Sequence, residues 1–425
     1  MAWGAVRGVD DLASRLTTND PALTSLTLLS GRRLGHPEVE QLAAALRQNT
    51  VLTELSSCHS MPPASAAVLA AAIATHPALR RLSLGDSQFG DAGVSALLPA
   101  FHRLHVADLE HKSVTNIGCE ALATVLGGCN CLAEINVSRN CVGDAGAASL
   151  CASLPASLEV LDLSSCGLTE VAGTHLRDAL VTARAPLVSL HLRGNALGPS
   201  GLTALAAGLQ HARTLRTLDL SDSQAGDAGA MAIADALPAS SLHRLNLGRC
   251  GISNIGAANL AKATIRGLHA LCLAGNPIGD VGAAALAAAN VEQLDVSECG
   301  LSGAGASALI GPACVFTSLI LLGNALDDDG VIALAAALSA DGAAPRLKHL
   351  SVSGTGMGFE GADALVGALI HGAGPQLNAL EMGGNPASDG SDRCVAMVAK
   401  LRDGRVDIDI SWKASDQGDG AQSAR

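Results

Sequence analysis

The sequence predicts an α/β fold, a solenoid (horseshoe) with a parallel inner β-sheet and outer helices, built from about fourteen units. Three observations predict it. Segments such as Leu158-Glu-Val-Leu161-Asp-Leu163-Ser-Ser-Cys166-Gly-Leu168 and Leu187-Val-Ser-Leu190-His-Leu192-Arg-Gly-Asn195-Ala-Leu197 repeat one pattern. The stretch after each pattern carries apolar residues at helical spacing. The 425-residue chain is 48 % hydrophobic, 16 % charged and 1 % aromatic, so an aliphatic core can be large.

The pattern is L-x-x-L-x-L-x-x-N/C-x-L. Its ninth position recurs at Gly31, Ser60, Ser87, Lys112, Asn140, Cys166, Asn195, Ser223, Cys250, Asn276, Cys299, Asn324, Thr355 and Asn385. The mean step is about 27 residues, within the leucine-rich range. Each L-x-L is a short strand whose leucines point inward and whose intervening residues point out. A ladder of Asn140, Cys166, Asn195, Cys250, Asn276, Cys299, Asn324 and Asn385 turns inward after the strands. There the asparagines are expected to satisfy buried turn backbone.

The second half of each unit reads as a helix. Asn140-Cys-Val-Gly-Asp-Ala-Gly146-Ala-Ala-Ser-Leu150 and Asn276-Pro-Ile-Gly-Asp-Val-Gly282-Ala-Ala-Ala-Leu286 are rich in Ala and Leu, both strong helix formers. The glycine near each helix start is expected to let helix and strand backbones approach closely. Residues 1–20 form an N-terminal helical cap with Val6, Val9, Leu12 and Leu16 inward. Residues 21–410 form a single solenoid, closed by a last strand at Val406-Asp-Ile408-Asp-Ile410. Residues 411–425 are a polar, disordered tail. The short step from Asn276 to Cys299 demands a short helix. The long step from Asn324 to Thr355 puts a loop at 340–345.

These residues resemble the ribonuclease-inhibitor-like subfamily of leucine-rich-repeat proteins, with its G-D-x-G-x-x-x-L helix entry at Gly143-Asp-Ala-Gly146, Gly226-Asp-Ala-Gly229 and Gly279-Asp-Val-Gly282. The resemblance covers about residues 20–410 and implies the fold. The subfamily includes inhibitors, Ran GTPase activators, innate-immune sensor arms and structural proteins of cilia. The first expectation is a non-catalytic interaction scaffold that binds a protein partner on its concave face. One alternative is a Ran-type GTPase-activating protein, since Arg193-Gly-Asn-Ala-Leu-Gly-Pro199 is similar to that family's N-N-G-L-G-P segment. It departs at Gly194, and the family's long acidic C-terminal segment is missing. Another alternative is a structural subunit of a large assembly such as a ciliary or flagellar complex.

Other chemistry is sparse. Neither a Walker loop, a dinucleotide fingerprint nor a G-x-S-x-G elbow occurs in strand–turn–helix context, so no catalytic residue and no cofactor is expected. Of thirteen His, seven (59, 105, 111, 191, 243, 269 and 349) fall between or beside strand leucines and are placed on the inner face. His243 and His269 can approach one another, but two ligands do not make a closed metal site, and none is expected. Twelve cysteines without a Cys-x-x-Cys pair read as buried free thiols in a reducing compartment. With 27 basic and 39 acidic residues the net charge is −12. That balance, with four Phe, two Trp and no Tyr, argues against nucleic acid. No secretory signal or membrane-spanning run is found. The expected location is intracellular, the cytoplasm first, with the nucleus or a cilium or flagellum as alternatives.

The partner-binding face follows from the alignment. Between the strand leucines stand Asp108, Asn136, Asp162, His191, Asp219, Asn246, Cys272, Asp295, Ile320, Ser351 and Glu381, an intermittent acidic stripe suited to a basic partner segment. The next outward column is mostly small, apart from Glu110, Arg193 and Leu322. Asp108, Asp162, His191, Arg193, Asp219, Asp295, Ile320, Leu322 and Glu381 are the candidate contact residues. Ile320 and Leu322 form an apolar spot on a polar floor, with His191 and Arg193 a separate polar contact.

Overall fold

Each unit builds a three- or four-residue strand because only its L-x-L segment alternates, and the Ala- and Gly-rich half that follows is helical. In a computed structural model of the chain the described residues are 9–28, 35–59, 62–182, 184–263, 267–312 and 314–412. Gly31, Ser60, Val6 and residues 413–425 of the expected tail lie outside them.

Two compact bodies divide the chain: residues 1–223 with 239–241, and residues 224–238 with 242–425. The first holds β1 (Ser25–Leu28), β2 (Glu54–Ser57), β3 (Arg81–Ser83), β4 (Val106–Asp108), β5 (Glu134–Asn136), β6 (Val160–Asp162), β7 (Ser189–His191) and β8 (Thr217–Asp219). They pair in parallel and in chain order, with Leu26, Leu55, Leu82, Ala107, Ile135, Leu161, Leu190 and Leu218 in register. The second holds β9 (Arg244–Asn246), β10 (Ala270–Cys272), β11 (Gln293–Asp295), β12 (Ser318–Ile320), β13 (His349–Ser351), β14 (Ala379–Glu381) and β15 (Asp409–Ser411). Leu245, Leu271, Leu294, Leu319, Leu350, Leu380 and Ile410 share its register. All these register residues are buried, so each body has a continuous aliphatic core between sheet and helices.

The N-terminal helix Val9–Thr17 buries Leu12 and Leu16 completely and is pinned by an Arg15–Asp20 ion pair at 2.7 Å. The short step carries the eight-residue helix Gly279–Leu286. In the long step Ala343 and Ala344 are buried, and the Ala344 amide donates to the Gly311 carbonyl at 3.2 Å. Ala343 and Ala344 thus anchor the loop, while Ala340, Asp341, Gly342 and Pro345 are exposed. The last strand is shifted from its expected start: Ile408 and Ile410 are buried, but Val406 is 89 % exposed.

The glycines near the helix starts do a different job from the one expected. A Cβ on Gly118 would lie 2.5 Å from Asp91 Oδ1, and one on Gly256 would lie 2.6 Å from Asp227 Oδ1. At these two the close approach is to a carboxylate of the preceding unit's helix, and at Gly146 and Gly282 it is to the backbone Cα of Asn116 and Asn254 on the preceding helix, not to a strand. Asp227 Oδ1 accepts the amides of Ser253 (2.8 Å) and Gly256 (3.0 Å), and its Oδ2 accepts the Ser253 hydroxyl (2.6 Å). Asp91 does the same for Thr115 and Gly118, and Asp280 for Ser302 and Gly305. Each such Asp satisfies free amides at the start of the next helix, where negative charge is also favoured.

Candidate functional site

The strands present one buried central residue between two partly exposed neighbours, so the stripe residues emerge on the side of the sheet away from the helices. Asp108, Asp162, His191, Asp219, Asp295, Ile320 and Glu381 are all partly exposed, and Ser351 is buried. In the next column Arg193 is exposed and Leu322 is 41 % exposed, whereas Ser221 and Ser297 are buried.

The stripe has a structural duty beside its charge. Asp162 Oδ1 accepts the Ser164 amide at 2.8 Å. The same bond to the residue two further on is made by Asp108 (3.0 Å), Asn136 (2.9 Å), Asp219 (3.0 Å), Asn246 (2.9 Å) and Asp295 (3.0 Å). These amides lie where the strand gives way to the turn, and a side-chain oxygen supplies their acceptor. Asp and Asn serve equally, which explains their interchange. The negative charge and the second carboxylate oxygen are additional.

In register across β6, β7 and β8, His191 lies between Asp162 and Asp219. Arg193 Nε lies 3.2 Å from Asp222 Oδ2. In the second body Ile320 lies in register between Asp295 and Ser351. His349 Nδ1 is 2.9 Å from Ser318 Oγ, and its Nε2 is 3.3 Å from Glu381 Oε1.

The ladder asparagines work backward. Asn195 Oδ1 accepts the amides of Cys166 (3.0 Å) and Leu168 (3.1 Å), while its Nδ2 donates to the carbonyls of Leu163 (2.9 Å) and Leu192 (2.8 Å). Asn140, Asn276, Asn324 and Asn385 repeat this against Lys112, Cys250, Cys299 and Thr355. The Cys166 thiol in turn donates to the Val137 carbonyl, and that of Cys299 to the Leu273 carbonyl. Lys112 replaces a cysteine: it is buried and its Nζ donates to the Gly85 carbonyl.

Of the seven histidines expected on the inner face, only His191 and His349 stand on it. His105, His243 and His269 immediately precede their strands and are exposed. His59 is buried beside Ser57, and His111 occupies a left-handed turn with φ of 54°. The His243 and His269 rings do meet, stacked with centroids 5.1 Å apart, and His269 Nδ1 lies 3.5 Å from Glu292 Oε1. Among the described residues no group of three or more His, Cys, Asp or Glu is arranged to hold a metal ion.

The cysteines are unbridged. Cys58, Cys131 and Cys141 are exposed and Cys272 is partly so, which corrects the expectation that all are buried. Burial pushes the thiols of Cys119, Cys151 and Cys166 up to about 12 and that of Cys299 to about 11. The inter-helix aspartates and the Ser318–His349–Glu381 chain were missed in the sequence. The signal for the first was a Ser or Thr 22 to 26 residues after each G-D aspartate.

One strand and one helix per repeat, joined by an Asn/Cys ladder, define a leucine-rich-repeat protein. The family model described as Leucine Rich repeat matches residues 75–98, 128–151, 185–206, 211–234, 239–261, 268–287, 288–309 and 314–335. The chain is 32 % identical over 404 residues to a ribonuclease inhibitor of Sus scrofa, covering 89 % of this chain and 80 % of that protein. A ribonuclease inhibitor of Mus musculus is 29 % identical, covering 77 % of this chain and 70 % of that one. The NACHT, LRR and PYD domains-containing protein 12 of Homo sapiens is 29 % identical over 73 % of this chain, which spans 33 % of that longer protein. The chain thus belongs to the ribonuclease-inhibitor-like family of leucine-rich-repeat proteins. Among the described residues no helix is long and apolar enough to cross a membrane.

Proposed function

We infer that this chain is a non-catalytic scaffold that holds a protein partner on the exposed side of its sheet. The observation that carries this reading is the recurrence of Asp108, Asp162, Asp219, Asp295 and Glu381 at the third strand position on that side, where Asp162 and Asp219 keep a second oxygen surplus to the turn they hold; Arg81 and Arg244 stand at the first strand position. Such a surface favours a partner segment bearing Lys or Arg. The contact residues are Asp108, Asp162, His191, Arg193, Asp219, Asp295, Ile320, Leu322 and Glu381. The name of the porcine and murine relatives, an inhibitor of an enzyme, supports a protein ligand.

Against the GTPase-activating alternative, Asn195 is 2 % exposed and spends its side chain on the ladder. The twelve unbridged thiols support a reducing, cytoplasmic setting. The test is affinity purification from the source cell, read by mass spectrometry, with the wild type and the variant Asp162→Asn/Asp219→Asn/Asp295→Asn side by side. A protein partner retained by the wild type and depleted on the variant is expected. An identical partner set on both would overturn the sheet-face reading, and Asn195-dependent acceleration of GTP hydrolysis by a Ran-type GTPase would overturn the non-catalytic one.

A further inference from the structure

Across β11 to β14 the outward row reads Asp295, Ile320, Ser351, Glu381, in register. At a strand spacing of about 4.8 Å the two carboxylates stand roughly 14 Å apart, with the aliphatic side chain between them. Leu322, two residues beyond Ile320, is 41 % exposed. The two carboxylates are not equally available. Asp295 Oδ1 accepts the Ser297 amide and hydroxyl, and its Oδ2 accepts the Cys272 thiol at 3.4 Å. The Glu381 side chain is 47 % exposed, and its ion-pair partner is His349.

His349 is connected on both sides. For its Nε2–H to donate to Glu381, neutral His349 must hold its lone pair at Nδ1 and accept the Ser318 hydroxyl proton there. On the neighbouring strands the charged groups of this outward side are Glu381 on β14, Asp295 on β11 beyond Ile320, and Asp409 on β15 beyond Ala379. Lys348 immediately precedes β13 and is exposed.

Resting on the scaffold reading above, we propose that this patch is a subsite for an aliphatic side chain accompanied by a lysine or arginine, with Glu381, held beside His349, as the partner of the cation. The aliphatic group sits on Ile320 and Leu322 and the cation pairs with Glu381. Charge complementarity selects this occupant, because the carboxylates at both ends of the row repel an acidic segment.

The test is to pan a displayed library of random dodecapeptides on the full chain at pH 7.5 and to measure the consensus peptide in solution. Enriched peptides are expected to share an aliphatic residue with Lys or Arg within three positions. Affinity should fall at least about tenfold on Ile320→Ser/Leu322→Ser and severalfold on Glu381→Gln, at unchanged melting temperature. Leu322→Ser alone, at an exposed position, guards against misfolding of the double variant. Acidic or uncharged consensus peptides, or equal binding to the double variant, would overturn the subsite. Peptides lost instead on Asp162→Asn/Asp219→Asn would overturn it while leaving the sheet-face reading intact. Peptides indifferent to both sets of changes would fail both.

Discussion

Asn276 reaches back into the preceding turn and holds the Cys250 amide on its Oδ1 at 2.9 Å. The same oxygen accepts the Ile252 amide at 3.0 Å, and its Nδ2 donates to the Leu247 and Leu273 carbonyls. Asn276 is 1 % exposed, so water cannot replace these bonds. Asn276→Ala should destabilise the protein by about 1–3 kcal/mol, the cost of leaving buried polar groups unpaired. Urea titration of the two proteins checks this, and superimposable curves would refute it.

The stripe can be dissected by choosing the replacement. Asp162→Asn/Asp219→Asn/Asp295→Asn keeps an oxygen for the amides of Ser164, Ser221 and Ser297, so melting should hardly change. Changing the same three residues to Ala removes those acceptors and should lower stability by about 1 kcal/mol per site or less, because the sites are partly exposed. Association with a basic partner should slow and lose salt dependence in both variants. Equal melting of the Asn and Ala variants would remove the structural role. Unchanged association rates would remove the electrostatic one.

The repeat was legible because Leu161, Leu190 and Leu218 recur with the same local neighbours, and burial of the helix-facing side of each strand leaves little freedom there. The ladder was legible for the same reason. What stayed hidden depends on a partner one unit away. Nothing local to Asp227 announces Ser253, and Gly256 looks like a backbone glycine until Asp227 is seen against it. The left-handed turn before the ladder residue was half visible. Gly194, Gly275 and Gly323 mark it, but Arg139, Arg249 and Glu298 adopt it without glycine, at φ between 52° and 60°. Histidines misled because one residue of register separates the face, where His349 stands, from the strand entry, where His269 stands.

The inter-helix aspartates should shape the acid limb of stability. Bonds from the Ser302 hydroxyl lead the causes that hold Asp280 below the usual carboxylate value, against an opposing burial effect. For Asp227 burial is the largest influence and pushes up, but bonds from Ser253 and Gly256 outweigh it and the net shift is also downward. A folded-state pKa below the unfolded one adds stability above the unfolded value, near 3.8, and that stability is lost as pH falls through the folded value. Asp227→Asn/Asp280→Asn should therefore cost stability at pH 6 and cost progressively less below about pH 4. Melting temperatures from pH 6 to pH 2 check it; a constant gap between variant and wild type would show that the charges contribute nothing.

The thiols carry the opposite sign. Cys119, Cys151 and Cys166 are pushed to about 12 by burial, from 9.0 for an ordinary thiol. Above pH 9 the unfolded chain loses these protons while the folded protein keeps them, so stability should fall steadily as pH rises from 9 toward 12. Cys166 also donates its proton to the Val137 carbonyl at 3.2 Å, a bond the thiolate cannot make. Cys166→Ser preserves a donor at that place but does not ionise in this range, so its alkaline slope should be shallower than that of the wild type. In the native protein at pH 8, a thiol-reactive disulfide reagent should label Cys58, Cys131 and Cys141 first, since these are exposed. Cys119, Cys151, Cys166 and Cys299 should react only at the rate of unfolding. Peptide mapping of the modified cysteines against time separates the two classes. Early labelling of Cys166 would mean that the ladder opens locally without global unfolding, and would place the weak point of the repeat stack at that turn.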